Sequence, residues 1–245
     1  MFNLLSRSLT NMSLPVPDPL RRRRARRGLG DLLRDEILDA ATELMLETGD
    51  AKAVSIRSVA QRVGVTPPSI YLHFADKDAL LDEVCARYFE KLDEEMQRAG
   101  AGQPSTIEVL REQGIAYVRF ALQNPGLYRI ATMGEGRPGS DVDITLASSA
   151  FQHLVVGVQR LIDEGIYAPE DPTSLALEVW TVAHGIAALL IAKPYLPWGD
   201  VELFTARVLR AVCTGQIVTG LVGEDTCPKD TIEWLFSRGG ERDER

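Results

Sequence analysis

The sequence predicts an all-α protein in two parts, a small unit of short helices followed by a larger helical bundle. Three observations predict it. Apolar residues recur at spacings of three and four along most of the 245 residues, the period of a helix with one buried stripe. Ser, Thr or Asp precede these runs and Gly or Pro follow them, as at helix ends. No strand pattern emerges after residue 104. A hydrophobic fraction of 45% and a charged fraction of 25% are ordinary for a globular chain and exclude a disordered or collagen-like one.

Residues 1–30 are expected to be a basic arm. They hold Pro15, Pro17, Pro19, Gly28 and Gly30, with Asp18 as the only acid. Arg21 to Arg24, Arg26 and Arg27 place six arginines in seven residues. Such a run either neutralises phosphates without reading bases or serves as a solvated tail. The apolar start (Phe2, Leu4, Leu5) breaks off at Ser6, too short for a secretory signal. The Arg- and Ser-rich stretch also resembles an organelle transit peptide.

The first helix is expected from Asp31 to Thr48, with Leu33, Ile37, Ala41, Leu44 and Met45 on one stripe and Gly49 as its stop. Ser55 caps a short second helix, in which Ile56, Val59, Ala60 and Val63 recur and which Gly64 ends. Thr66 caps a third; Pro67 suits its first turn, and Ile70, Tyr71 and Phe74 supply its apolar side. Asp76 caps a fourth, which carries Leu81, Val84, Tyr88 and Leu92 to about Arg98, where Gly100 and Gly102 break it. Two short helices across a Gly turn, packed by a longer one, make a helix-turn-helix unit. The second short helix has little apolar face to bury and opens on small polar residues, which suits a DNA major groove. The amides at its start favour phosphate. A protein-binding bundle is the competing reading, and the basic arm upstream favours DNA.

The segment VSIRSVAQRVGVTPPSIYLHFADKDAL, Val54 to Leu80, resembles the DNA-binding region of the tetracycline-repressor (TetR) family through Ser55, Ile56, Val59, Ala60, Gly64, Val65, Tyr71, His73, Phe74 and Lys77. The resemblance implies a role for each polar position. Ser55 would lie near a phosphate, and Thr66 and Ser69 near base edges or the backbone. The Tyr71 hydroxyl would donate to a phosphate and Lys77 would clamp another. His73 would sit at the rim of the DNA surface or merely cap a helix end. Pro67 belongs to the same surface, but the Pro67-Pro68 pair departs from the family pattern and removes an amide that would contact DNA. Arg57 meets either phosphate or water. Arg26 and Arg27 join the DNA-binding set by analogy with the homeodomain arm that enters a minor groove.

The charge is divided accordingly. Residues 1–75 carry 11 Lys and Arg against 8 Asp and Glu; residues 76–245 carry 16 against 27. Only the head is suited to a polyanion. The acidic body reads as helices: one after Ser105 with Leu110, Tyr117, Val118 and Leu122, and one from Asn124-Pro125 to Met133. After the loop GEGRPGSD comes a long helix over 141–164 with Leu146, Ala150, Leu154, Gly157 and Leu161 aligned. Asp171-Pro172 open a helix to Ala192, and Asp200 opens the last long one, ending near Thr219. The helix after Pro172 is apolar on most sides beyond Glu178 and is expected to be buried all round. In TetR-like proteins the last two long helices form a four-helix dimer interface, which implies a homodimer here and a pseudo-palindromic double-stranded operator.

Trp180, His184 and Gly185 form W-x-x-x-H-G, which resembles a motif of one subgroup (WHG) of the family's effector-binding domains. Trp180 and His184 share a helical face. They either fill core or, with Tyr117, Phe120, Tyr128 and Phe151, line a mostly apolar pocket for a small-molecule effector. No cofactor or metal is expected: His73, His153 and His184 match no metal spacing, and no catalytic motif or phosphate loop appears, so an enzyme is not expected. The cysteines, Cys85, Cys213 and Cys227, are too few and scattered for a disulfide framework and fit a reducing cytosol; Cys85 is expected to be a buried thiol. No uninterrupted apolar run reaches 18 residues, and no membrane span is expected. The patch Ile232, Trp234, Leu235 and Phe236 is expected to dock on the body.

The expected organisation is an arm over 1–30, a helix-turn-helix domain over 31–78, an effector-binding and dimerisation domain over 79–222, and a charged tail over 223–245. The expected function is a cytoplasmic, nucleoid-associated repressor released from its operator by an apolar ligand that binds better to a splayed state. Ligand-activated DNA binding, and a ligand-binding bundle with a vestigial head, are the alternatives.

Overall fold

A computed structural model describes residues 30–133, 149–223 and 225–239. Ten α-helices and one 3₁₀ turn, with no strand, make up the regular structure of the described residues. The helices are α1 Gly30–Thr48, α2 Ile56–Val63, α3 Pro67–Ile70, α4 Lys77–Gly100, α5 Thr106–Gln123, α6 Pro125–Met133, α7 Ala150–Asp163, α8 Pro172–Ala192, α9 Val201–Val222 and α10 Pro228–Gly239. Arg26, Arg27, the GEGRPGSD loop and the first part of the helix expected over 141–164 lie outside the described residues.

The expected punctuation is visible as hydrogen bonds. Ser55 and Ser58 form a reciprocal box at the start of α2, Ser55 Oγ accepting from Ser58 N (3.1 Å) and Ser58 Oγ from Ser55 N (3.0 Å). Asp76 Oδ1 caps α4 through Ala79 N, and Asp200 Oδ1 caps α9 through Leu203 N. Gly64 takes φ +77° to turn the chain between α2 and α3, a conformation that costs any residue with a Cβ. The cap at α3 departs from expectation. Residues N1 and N2 are Pro67 and Pro68, which carry no N–H, and the Ser69 amide donates to Thr66 O. The Thr66 hydroxyl therefore meets the Ser69 hydroxyl instead, at 3.1 Å.

Three apolar cores organise the chain. The head core joins Ile37, Leu38 and Met45 of α1, Val59 of α2, Ile70, Phe74, and Leu80, Val84 and Cys85 from the first half of α4. The second half of α4 (Tyr88, Phe89, Leu92, Met96) enters a different core with α5, α8 and α9. A third core joins Leu110 to α7, Tyr167 and the start of α8. The second and third cores need backbones to come close. A Cβ on Gly114 would stand 2.6 Å from Leu209 Cδ1, and one on Gly157 2.5 Å from Leu110 Cδ2. Salt bridges from α1 to α4 (Arg34–Glu83, 2.7 Å; Arg87–Asp39, 3.1 Å) and from Arg62 on α2 to Glu43 and Glu47 frame the head.

Three expectations are corrected. Gly100 closes α4 as a buried residue, and the break falls at 101–105, where Gly102 takes φ +75°. The helix expected to be buried all round, α8, packs on α5, α7 and α9 yet leaves Leu177 and Leu189 about half exposed. By length and a mean hydropathy of 1.8 this helix would suffice to cross a membrane, so the absence of an 18-residue apolar run understated it. In the fold it is a core helix with one uncovered stripe. The apolar tail residues are mostly uncovered: they fall on α10, which neighbours α9, and Ile232, Leu235 and Phe236 are exposed while Trp234 is half-buried.

The Gly64 turn offers a direct check. Gly64→Ala is expected to cost about 1–2 kcal/mol, read as a lower unfolding midpoint, and Gly64→Asn, which tolerates the left-handed region, less.

Candidate DNA interface and effector site

The head presents its polar residues outward because its apolar ones are held from behind. Ile70 and Phe74 are anchored in the head core, and Arg34 lies 5.3 Å over the Phe74 ring. The residues between and before these anchors are left on the surface. Ser55, Arg57, Thr66 and Pro67 are exposed, and Ser69, His73 and Lys77 are partly so. Tyr71, expected on the apolar side of the third helix, is instead 54% exposed; α3 ends at Ile70, and Tyr71 turns out of the stripe. Lys77 Nζ donates to Lys52 O (2.9 Å) and ties the start of α4 to the turn before α2. Its other two protons have no partner among the described residues. Sequence reasoning missed Leu72, 83% exposed between Tyr71 and His73, because periodicity treats an apolar residue as core.

The six residues expected around an effector converge. Tyr128 of α6 donates its hydroxyl to His184 O (3.1 Å) and lies 2.9 Å from His184 Nδ1. The Tyr117 hydroxyl lies 3.2 Å from the same nitrogen. With the Tyr128 proton on His184 O, the 2.9 Å contact fits a neutral imidazole whose Nδ1–H donates to the Tyr128 hydroxyl oxygen. Trp180 stacks on His184 at 5.0 Å, and Phe151 meets Trp180 edge-on at 6.4 Å. Phe120 packs on Tyr88 at 5.1 Å. Tyr88 is the member that sequence reasoning left out. It lies in the α4 stripe and is only 3% exposed, but nothing in the spacing reveals that its hydroxyl ends beside Tyr117 and Tyr128 rather than in hydrocarbon.

Burial dominates the electrostatics of this cluster. It pushes the Tyr88, Tyr117 and Tyr128 hydroxyls up, Tyr88 and Tyr117 further through the neighbouring phenols, so all three stay protonated. It holds His184 below its ordinary 6.5 and therefore neutral at pH 7. One donor is left over: Tyr88 Oη is buried with no hydrogen-bond partner among the described residues, while the Trp180 indole N–H faces the Tyr117 hydroxyl oxygen. Such an unpaired group typically costs about 1–3 kcal/mol. The rings are packed together, and the surface recesses lie elsewhere. One of about 170 Å³ between α4 and α5 shares Phe120 with the cluster; one of about 390 Å³ lies between α8 and α9. Cys85 is buried as expected, its thiol pushed up to about 11 by burial and then by Asp82, so it is a poor nucleophile.

One helix joins the two sites. Leu127, Ile130 and Ala131 of α6 pack on the head core, while Tyr128 lies in the body core against His184. A Cβ on Gly126 would stand 2.8 Å from Leu46 Cδ2 of α1, so α6 and α1 are in intimate contact.

A helix-turn-helix head carried on a helical body defines a DNA-binding transcriptional regulator. Residues 37–84 match the tetR family of bacterial regulatory proteins, and residues 110–221 match the tetracyclin repressor-like C-terminal domain. The chain belongs to the TetR family. It is 24% identical over 188 residues to the uncharacterized HTH-type transcriptional regulator YobS of Bacillus subtilis, covering 76% of this chain and 94% of YobS. It is 29% identical over 184 residues to the nucleoid occlusion factor SlmA of Vibrio cholerae, covering 71% of this chain and 92% of SlmA. Among solved structures, a protein of unknown function from Rhodococcus sp. RHA1 superposes with a TM-score of 0.65 at 26% identity, over 76% of this chain and 95% of that one. A TetR family regulator from Marinobacter aquaeolei shares the fold with a TM-score of 0.59 at 19% identity, over 76% and 98%.

The bonding pattern separates two tyrosines. Tyr88→Phe is expected to leave the unfolding midpoint unchanged or raise it, since its hydroxyl has no partner to lose. Tyr128→Phe is expected to cost about 1–2 kcal/mol by removing the partner of His184 O and Nδ1. The depressed His184 also sets a pH dependence. The unfolded chain takes up its proton as the pH falls through 6.5, while the fold still resists, so this contribution is whole above that pH and is lost below it. The thermal midpoint should decline as the pH falls below about 6.5, and less steeply in His184→Gln.

Proposed function

We propose that this regulator is a homodimeric repressor that leaves a pseudo-palindromic operator when a small, mostly apolar ligand enters the Trp180–His184 cluster. The observation that carries the reading is α6: one helix packs on the head with Leu127 and Ile130 and bonds to His184 with Tyr128. A ligand that moves His184 moves Tyr128 and shifts the head. It does so only by its differential affinity for the two arrangements. W-x-x-x-H-G, with its Trp stacked on its His, supports placing the body in the WHG subgroup.

The dimer is supported by the uncovered faces of α8 and α9. Only Thr205 and Leu209 of α9 are buried, while Leu177, Leu189, Leu203 and Leu221 are exposed. Two copies packed on these faces give four helices and two heads, which read two half-sites about one or more helical turns apart. In each head Thr66, Pro67 and Ser69 approach base edges or backbone, and Ser55, Arg57, Tyr71, His73 and Lys77 contact phosphates. Leu72, the exposed apolar residue beside them, suits a thymine methyl or a sugar face. Arg26 and Arg27 add phosphate contacts from the arm. The domain limits at 30, 78 and 222 belong to this reading, with α4 crossing the second of them. A bacterial cytoplasm is the compartment such a regulator occupies.

Selection from a random duplex library with the full-length protein tests the proposal. A two-fold-symmetric site is expected. On that site Arg57→Ala should weaken binding and lower the slope of log affinity against log salt by about one, while Tyr71→Phe, which removes no charge, should weaken binding and leave the slope unchanged. Deletion of residues 1–27 should weaken all sequences alike and flatten the slope further. Enrichment of no site would sink the repressor reading.

A further inference from the structure

The effector cluster has a chemical signature that narrows what it takes. Its walls are flat: Trp180, Phe120 and Phe151, with Tyr88, Tyr117 and Tyr128 among them. Its polar atoms are donors in excess. Tyr128 is committed to His184 O, and Tyr117 stands at His184 Nδ1. The Trp180 indole N–H faces the Tyr117 hydroxyl oxygen, whereas the Tyr88 hydroxyl is buried and has no acceptor among the described residues. The residues that pack these rings are apolar, among them Phe89, Leu92, Ala183 and Ala187. The groups that bond or stack within the cluster are phenols, an indole and an imidazole, none of them charged at pH 7. A buried anion would find no counter-charge there and a buried cation no carboxylate, and either would bear the full cost of desolvation. A carbonyl oxygen accepts two hydrogen bonds and bears no charge.

We propose that this site selects an uncharged, flat, ring-bearing molecule with a carbonyl oxygen that accepts from the Tyr88 hydroxyl. The inference rests on the reading of this cluster as the effector site and names the class of effector. The rings supply stacking area, which any flat hydrocarbon shares. The spare Tyr88 donor supplies the discrimination, because a ligand without an acceptor leaves it unpaired as it stands now.

Three probes on one skeleton separate the terms: 9-fluorenone, fluorene, and 9-fluorenecarboxylate. Equilibrium dialysis against the full-length protein is expected to show fluorenone bound at least tenfold more tightly than fluorene or the carboxylate. Tyr88→Phe should bring fluorenone down toward fluorene while leaving fluorene unchanged, a result that loss of fold would not give; its thermal midpoint is the control. Equal affinity for fluorenone and fluorene, tightest binding of the carboxylate, or binding of none of the three would overturn the proposal. The same samples added to the operator complex test the underlying reading separately. Fluorenone that binds with Tyr88-dependent preference but leaves the DNA complex intact upholds the ligand class and removes the release mechanism.

Discussion

The structure depends on α4 being one unbroken helix shared by two cores. Its 24 residues extend about 36 Å at 1.5 Å per residue. The first turns bury Leu80, Val84 and Cys85 in the head, and the later turns bury Tyr88, Leu92 and Met96 in the body. No flexible linker separates the parts, so a rotation or tilt of α4 is a displacement of the head. Ion pairs from Arg34 and Arg87 bind α1 to the same helix. Being exposed or half-exposed they add little stability singly, but they hold α1 in register with α4.

The second connection, through α6, gives that rigid arrangement a point of entry. Its nine residues are too few to hold a conformation alone, and α6 stands because both of its faces are occupied. Tyr128 is the body-side anchor, Leu127 and Ile130 the head-side ones. The cluster that receives Tyr128 retains a buried donor, the Tyr88 hydroxyl, without an acceptor among the described residues. Native interiors rarely leave such groups, and those that persist mark places where something other than stability is served.

The faces left open on α8 and α9 follow the same logic at a larger scale. An apolar helix stripe in a single chain must be covered by something. Among the described residues α8 is covered on the sides of α5, α7 and α9 and bare on one.

Much of the fold was legible in the sequence, because the information was local. Caps at Ser55, Asp76, Asp171 and Asp200, the Gly64 turn, and the 3–4 spacing of core residues depend on interactions within a few positions of the chain. The placement of Ser55, Thr66 and Lys77 on one small unit was legible for the same reason. Thr66 was misjudged only where two prolines removed the amides it would have capped. What the sequence by itself determined was therefore the helices, their order and the polar surface of the head. Only the tertiary structure decided that Tyr88 joins Tyr117, Tyr128, Trp180 and His184, that its hydroxyl stays unpaired, that Tyr71 turns outward, and that most apolar residues of α10 stay uncovered. Periodicity says that a residue is buried, but the partner comes from a helix tens of residues away, and its identity is set by how helices cross, which no local pattern encodes.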